Sequence, residues 1–363
     1  TDTLTVTSSE GLVQGQEFNG LKLTDNVLST SVGQNTLASN YATTVVVPGA
    51  TASDLTVNRP LTFNGLNLTL QSDKNINIRN TITAQGANDR VTLRYGQGAV
   101  AANNTADFNF GLSPEGFAGK LNLQAGNNFT TTLGSDGTAI NYTVITQLGE
   151  QGSTTGTDLQ GMNGNLAGNF ALGADINASS TSQWNNGAGF DGIGSDSSSF
   201  TGRFTGLGHT ISDLTIKRPT TFAGLFDVIN GGTLRDVGVV NATIESPIIA
   251  GALAGFASNS MIRQVYSSGT VKASTFTGGG LIGSVSSGRI NQAFSSSVVT
   301  GGRLLGGLIG AVQANVGQLQ ISEVFATGSV SGSENIGGLV GQFSLNPSTQ
   351  VSLTDAYATG NVS

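Results

Sequence analysis

The chain has 363 residues and a net charge of −7 at pH 7, and charged residues make up only 10% of it. It contains 53 glycines, one histidine and no cysteine. Because lysines and arginines form no cluster, we expect no nucleic acid among its partners, and because no apolar run reaches the length of a transmembrane span, we expect no membrane insertion. The absence of cysteine suits a long extracellular bacterial structure that crosses the periplasm unfolded.

Residues 1–148 show short stretches in which apolar and polar residues alternate. Leu68 and Leu70 flank Thr69, and Leu121 and Leu123 flank Asn122. This period of two is typical of half-buried strands, and turn-forming residues separate the stretches. The pattern predicts irregular β-helix coils.

Residues 149–199 are rich in Gly, Ser, Thr and Asn and hold the only tryptophan, Trp184. This composition predicts a loop excursion from the β-helix. Trp184, Asn186 and Asp191 bring an aromatic face, an amide and a carboxylate together outside the regular repeat. We therefore predict that any ligand site lies here, since binding residues concentrate on loops that a rigid scaffold positions. Packing of Trp184 over the helix is at least an equal alternative.

Residues 200–363 contain a repeat built on a glycine-framed apolar segment. The central leucines stand 27 to 31 residues apart, and the segments begin with a glycine. The leucines are Leu225, Leu253, Leu281, Leu308 and Leu339, and glycines precede four of them at Gly224, Gly280, Gly307 and Gly338. A constant period of this length indicates a solenoid in which each repeat is one supersecondary unit. At Gly280 and Gly307 we expect either a positive φ or a close approach by the next coil.

A second apolar segment ends each repeat with an aromatic residue. These aromatics are Tyr266, Phe294, Phe325 and Tyr357. We interpret them as an inward core ladder in preference to a sugar-stacking stripe. With about three short strands per repeat and no helix of ordinary length, the fold class predicted is all-β, a right-handed parallel β-helix with a loop-rich excursion in the middle. The repeat interval places the next leucine beyond Ser363, so we expect the chain to stop in mid-array.

The order of segments resembles a known group of proteins. NFALGADINA at residues 169–178 and FTGRFTGLGHTISDLTI at residues 200–216 precede the Gly-Leu-Ile-Gly repeats. This succession resembles filamentous-haemagglutinin-like adhesins with GLUG-motif repeats, which are exported by two-partner secretion. The resemblance implies a secreted or cell-surface location, an outer-membrane secretion partner for the full-length protein, and binding of exopolysaccharide or host glycans in a biofilm matrix. GLUG repeats also occur in some immunoglobulin A protease precursors.

The sequence gives little indication of a catalytic site or a metal site. His209 has no second histidine to join it, and no Gly-Gly-x-Gly-x-Asp calcium repeat occurs, so we expect no metal and no cofactor. Asp191 and Asp196 are the nearest approach to a carboxylate pair, and turn formation is their more common role. We therefore predict a non-enzymatic adhesin fragment, a stiff stalk for cell-cell or cell-matrix adhesion. The alternative is a carbohydrate-active β-helical enzyme, a polysaccharide lyase or glycosidase.

Overall fold

The computed structural model describes residues 52–363 except 66, 315 and 316, together with five short strands before residue 52. The predicted fold class is confirmed, because the strands form a parallel β-solenoid of about ten turns. The rest of the predicted coils before residue 52 lies outside the described residues. Across the part that is described, no helix is long and apolar enough to cross a membrane.

Contacts divide the chain into two compact units. The first comprises Thr1–Thr146, Asn169–Ala174 and Leu207–His209. The second comprises Gln147–Gly168, Asp175–Gly206 and Thr210–Ser363. Most of the predicted excursion at 149–199 therefore packs with the repeat coils.

The first unit stacks its strands into three main sheets and a hairpin. The first sheet contains Glu17–Phe18, Leu21–Thr24, Val27–Thr30, Leu55–Val57, Ile76–Ile78 and Phe108–Asn109. The second contains Thr36–Leu37, Leu61–Phe63, Thr81–Ala84 and Lys120–Asn122. The third contains Thr44–Pro48, Asn67–Gln71, Arg90–Tyr95, Gly126–Leu133, Ile140–Ile145 and Asn169–Leu172, and the hairpin joins Leu112–Ser113 to Gly116–Phe117.

Alternation of apolar and polar residues explains the core of this unit. Leu68 and Leu70 in one strand are fully buried, and so are their partners Val91 and Leu93 in the next coil. Outside the core, amides stack from coil to coil. Asn77 donates to Asp54 Oδ2 (3.2 Å) and accepts from Asn109 Nδ2 (2.7 Å). Each coil thus satisfies polar groups of its neighbours.

The second unit contains the repeat coils, whose strands form three parallel stacks. The first stack is Phe222–Ala223, Ile249–Gly251, Thr277–Gly279, Leu304–Gly306 and Ile336–Gly337. The second is Phe226–Asn230, Ala254–Ser258, Ile282–Val285, Ile309–Ala314 and Val340–Leu345. The third is Ile176–Asn177, Arg203–Thr205, Thr210–Ser212, Thr215–Lys217, Thr233–Ser246, Ser260–Ala273, Gly288–Ser295, Val298–Gly301, Gln318–Ala326, Val330–Ser331 and Gln350–Ala358. Two 3-10 helices, Gln160–Gly164 and Ser179–Gly187, precede the coils.

The repeat leucines lie in the core, at bends between the first and second stacks. Leu225, Leu253, Leu281 and Leu308 are fully buried, whereas Leu339 in the last coil is half-buried. Each leucine follows the end of one strand and precedes the start of the next, so it does not sit in the middle of a strand. Backbone bonds stack these bends, as from Leu281 N to Leu308 O (3.0 Å).

The glycines before the leucines allow the bends to stack closely. A Cβ at Gly280 would overlap the carbonyl oxygen of Gly307, and a Cβ at Gly307 would overlap that of Gly338. Neither Gly280 nor Gly307 has a positive φ. Of the two reasons that the sequence offered, the structure therefore shows the close approach of the next coil.

Left-handed backbone angles occur instead in a column of polar residues in the third stack. Their φ values lie between 51° and 55° at Asp236, Gln264, Gln292, Glu323 and Asp355. Such angles are uncommon outside glycine. They shift the inside-outside alternation by one residue, so Ile262 and Val265 are both buried in the core while Tyr266 is only half-buried.

Candidate functional site

Trp184 lies in a kinked 3-10 helix of the excursion. The kink falls at Trp184, where ψ is 151°, and the next residues, Asn185 and Asn186, have left-handed φ values of 52° and 57°. The half-buried indole stacks on the buried ring of Phe190, with centroids 6.3 Å apart and planes inclined by 20°. Part of the indole is therefore fixed by packing and part of it faces solvent.

Asp191 is held in place by both its main chain and its side chain. Its N–H donates to Gln160 Oε1 (3.0 Å), and its carbonyl accepts from Gln160 Nε2 (2.9 Å). Its carboxylate forms an ion pair with Arg218 and accepts from Asn185 Nδ2 (3.3 Å). Because Gln160 lies in the first 3-10 helix of the excursion and is fully buried, these bonds fix Asp191 to the buried part of the excursion.

The three residues predicted as a ligand site are only partly brought together. Asn185, and not Asn186, donates to Asp191, and Asn186 is exposed. Arg218 was not among the predicted residues, although it follows Lys217 at the end of a strand. The arrangement is thus an exposed amide and a half-exposed indole beside a neutralised carboxylate. The ligand site itself stays a prediction.

Asp227 is the second titratable residue that the sequence reasoning missed. Burial raises its pKa to about 7, although the N–H of Gly224, 3.3 Å from Oδ1, and the positive charge of Arg218 oppose that rise. The register pairs Phe226 with Ala254, so Asp227 occupies the place of Gly255 in the next coil. The first repeat reads Gly-Leu-Phe-Asp where the later ones end in glycine, and this departure was a signal in the sequence.

The predicted aromatic ladder exists, but on the outer face of the coils. Neighbouring rings are 5.0, 4.7 and 5.0 Å apart, with planes inclined by 10°, 5° and 4°, in the order Tyr266, Phe294, Phe325 and Tyr357. Val265 and Ser267 on either side of Tyr266 are fully buried, while Tyr266 and Phe325 are half-buried and Tyr357 is 54% exposed. The inward orientation favoured by the sequence is corrected, because the left-handed residue two places earlier reverses the alternation.

Stacking also limits what this outer column can bind. Each inner ring has both faces covered by its neighbours, and the far face of Tyr266 lies over Gly238, where a Cβ would overlap the ring. Binding of a pyranose requires a free aromatic face. Apart from Tyr357, which has one stacking partner and is 54% exposed, these rings have no free face, and the column is therefore a stabilising feature of the coils.

Comparisons with known proteins place a peptidase-related region over this site. Residues 155–269, which include Trp184, Asp191, Arg218 and Asp227, match the model of the N-terminal region of M26 IgA1-specific metallo-endopeptidases. Halomucin of Haloquadratum walsbyi is 31% identical over 245 residues. That alignment covers 56% of this chain and 3% of halomucin, so the chain spans a small part of this relative. A solved structure from Bacteroides ovatus, assigned as an immunoglobulin A1 protease, is 23% identical with a TM-score of 0.49, covering 61% of this chain and 67% of that one.

A metallo-endopeptidase implies a metal ion, commonly held by His and carboxylate side chains. The parts of the chain described in the structure contain no group of three or more His, Cys, Asp or Glu residues that could hold a metal ion. His209 is 1% exposed, and its Nε2 lies 2.7 Å from Leu121 O. These residues do not fit a catalytic metal centre, and we assign no hydrolytic step to them.

The family match corrects the expectation of a non-enzymatic protein, because it relates residues 155–269 to a family of metallo-endopeptidases. The carbohydrate-active alternative gains no specific support, since Asp191 is engaged by Arg218. The chain is thus a parallel β-solenoid in which residues 155–269 are similar to the N-terminal region of M26 IgA1-specific metallo-endopeptidases.

Proposed function

We propose that this chain is the β-helical binding region of an extracellular metallo-endopeptidase, where it holds a protein substrate for cleavage by a metal centre elsewhere in the enzyme. The observation that supports this is the position of the family match, which covers the excursion and the first repeat coils. A rigid stack of coils suits such a role, because it positions irregular segments such as the excursion at a fixed place.

Binding of immunoglobulin A1 by the isolated chain tests this proposal. Immunoglobulin A1 is the probe because it is the substrate named for the matching family. We expect saturable binding by surface plasmon resonance, and weaker binding by a variant that lacks the outer surface of the excursion, Trp184→Ala with Asn186→Ala. A chain that binds immunoglobulin A1 no better than it binds serum albumin would contradict the proposal.

Adhesion through polysaccharide is a second candidate function. The half-exposed indole of Trp184 beside the exposed amide of Asn186 favours it, because aromatic faces and amides are common partners of sugars. In this role the chain would bind exopolysaccharide or host glycans and hold cells together in a biofilm. Export by an outer-membrane secretion partner, and the GLUG-type adhesin relationship, belong to the same proposal.

A glycan array with the wild type and Trp184→Ala tests the second function. We expect Trp184→Ala to lose binding to any glycan that the wild type retains, whereas Tyr266→Ala should keep it, because the faces of the Tyr266 ring are covered. Loss of binding in Tyr266→Ala with retention in Trp184→Ala would place the contact on the coils instead.

A further inference from the structure

Residues 184–194, here called the strap, lie alongside the first repeat coil and are bonded to it by the main chain. Phe190 N donates to Thr215 O, and Ile193 N donates to Leu225 O, both at 2.9 Å. In return Asp227 N donates to Ile193 O (2.9 Å). Ile193 bridges Phe226 in parallel, as Phe226 pairs with Ala254, so the strap takes the place of a preceding coil in the stack and adds an antiparallel bridge between Gly189 and Ile216.

The side chain of Asp227 lies directly beneath the strap. A Cβ at Gly192 would overlap the carboxyl group of Asp227, so the glycine and the acid are in close contact. The equivalent position in the later coils is a glycine. The acid therefore occurs in the one repeat coil that stacks against the strap, whereas the later coils stack against another repeat coil and have glycine there.

The surroundings of this carboxyl group contain few charges. The strap contributes only Asp191, and residues 215–226 contribute only Lys217 and Arg218. Lys217 pairs with Glu245 (3.2 Å), and Arg218 is already paired with Asp191. The adjoining strands of the next coil, Ile249–Gly251 and Ala254–Ser258, contain no charged or titratable residue. A negative charge on Asp227 would therefore compete with Asp191 for the same guanidinium group.

We propose that Asp227 is a proton-controlled latch, which keeps the strap seated on the coil while its carboxyl group is protonated and loosens the strap when that group ionises. Ionisation buries an incompletely compensated charge under Gly192, and hydration of that charge requires the strap to move away. Because burial raises the pKa of Asp227 to about 7, the change falls at neutral pH. The latch is independent of whether the bound partner is a protein or a glycan.

The fluorescence of Trp184 reports on the strap directly, because it is the only tryptophan of the chain. On titration from pH 5 to pH 9 we expect the emission to shift to the red and acrylamide quenching to rise, with a midpoint near pH 7. Asp227→Asn, which keeps the shape but not the charge, should hold the low-pH spectrum throughout. Asp196→Asn, at an exposed acid of the same excursion, is the matched control and should titrate as the wild type does.

A second variant keeps the proposal testable even if Asp227→Asn fails to fold. Asp191→Asn leaves Arg218 available to Asp227, which favours the ionised carboxylate, so the midpoint of the fluorescence transition should move to lower pH.

Hydrogen exchange followed by mass spectrometry should show residues 184–194 losing protection above pH 7, after correction for intrinsic rates, while residues 260–273 keep theirs. A transition that persists unchanged in Asp227→Asn, or a wild type that shows none while folded, would overturn the latch. So would an unshifted midpoint in Asp191→Asn.

Discussion

In the repeat coils many side chains are neighbours of the equivalent residue one coil away, whereas the side-chain contacts of the strap occur once. Ser267 Oγ donates to Ser295 Oγ (3.0 Å), and Phe294 stacks between Tyr266 and Phe325. By contrast, Trp184 has one stacking partner, Phe190, and Asp191 has one cation. Damage in the coils should therefore spread to neighbouring coils, while damage in the strap should stay local.

The largest effect is expected from a Cβ at the stacked bends. Gly307→Ala forces the new atom against the carbonyl oxygen of Gly338 and close to the Cβ of Ala326, so the stacked backbone must shift to accept it. We expect a loss of at least about 3 kcal/mol in the free energy of unfolding, measured by urea denaturation. Gly187→Ala is the comparison in the strap region, since Gly187 has a φ of 88° with nothing within 4 Å. It should cost only about 1 to 2 kcal/mol. Equal losses would show that coil stacking is not limited by this glycine.

The second-largest difference in stability between the coils and the strap is expected when an aromatic ring is removed from each. Phe294 is 6% exposed and stacked on both faces, so Phe294→Ala should cost about 2 to 4 kcal/mol and leave the faces of Tyr266 and Phe325 uncovered. Trp184→Ala should cost less, about 1 to 2 kcal/mol, because the indole is half-buried and has one stacking partner. Urea denaturation and near-ultraviolet circular dichroism measure both. A greater loss of unfolding free energy in Trp184→Ala than in Phe294→Ala would contradict this expectation.

The acid beneath the strap should make stability depend on pH. The pKa of Asp227 is raised from 3.8 to about 7, so between these values the unfolded chain is ionised at this residue and the folded chain is protonated. The stabilisation present below pH 3.8 is therefore lost as pH rises to about 7, and it does not change further above that. Asp227→Asn should be more stable than the wild type by about 4 kcal/mol at pH 8 and similar to it at pH 4. Unfolding in urea at the two pH values measures this, and an equal difference at both would contradict it.

The smallest effect is expected for an ion pair on the outside of the coils. Lys217 and Glu245 are 3.2 Å apart, and their side chains are 46% and 37% exposed. Solvent screens this attraction, so Lys217→Ala should change the free energy of unfolding by less than about 0.5 kcal/mol. A loss above about 1 kcal/mol would show that this surface ion pair stabilises the coils despite solvent screening.

Periodicity alone predicted the solenoid and its core leucines. An apolar residue that recurs every 27 to 31 positions must occupy the same place in each coil, and Leu253, Leu281 and Leu308 are indeed fully buried. The orientation of the aromatic residues could not be read in this way. Counting by twos from Ile262 places Tyr266 inside, and only the left-handed φ of Gln264 moves it outside. The polar residue at that apparent core position was the available signal.

The candidate site was accessible to sequence reasoning only in part. The composition of the excursion singled out Trp184 and Asp191, and the structure shows how both are held. Asp227 stood out in the sequence as a departure from the repeat, but its proximity to Arg218 and to Gly192 could not be predicted, since it depends on how the strap packs against the coil. The raised pKa of Asp227 depends likewise on burial by Gly192 and its neighbours, which is a property of the packed molecule.

The stacked bends also have a mechanical consequence. The later repeat coils are bonded to the coils before and after them through repeated main-chain bonds such as those of Leu253, Leu281 and Leu308. A pulling force applied to the end of the repeat array would therefore detach one coil at a time. Each detachment would release 27 to 31 residues, or roughly 100 Å of extended chain. A protein built in this way can lengthen under tension in steps and keep its remaining coils folded.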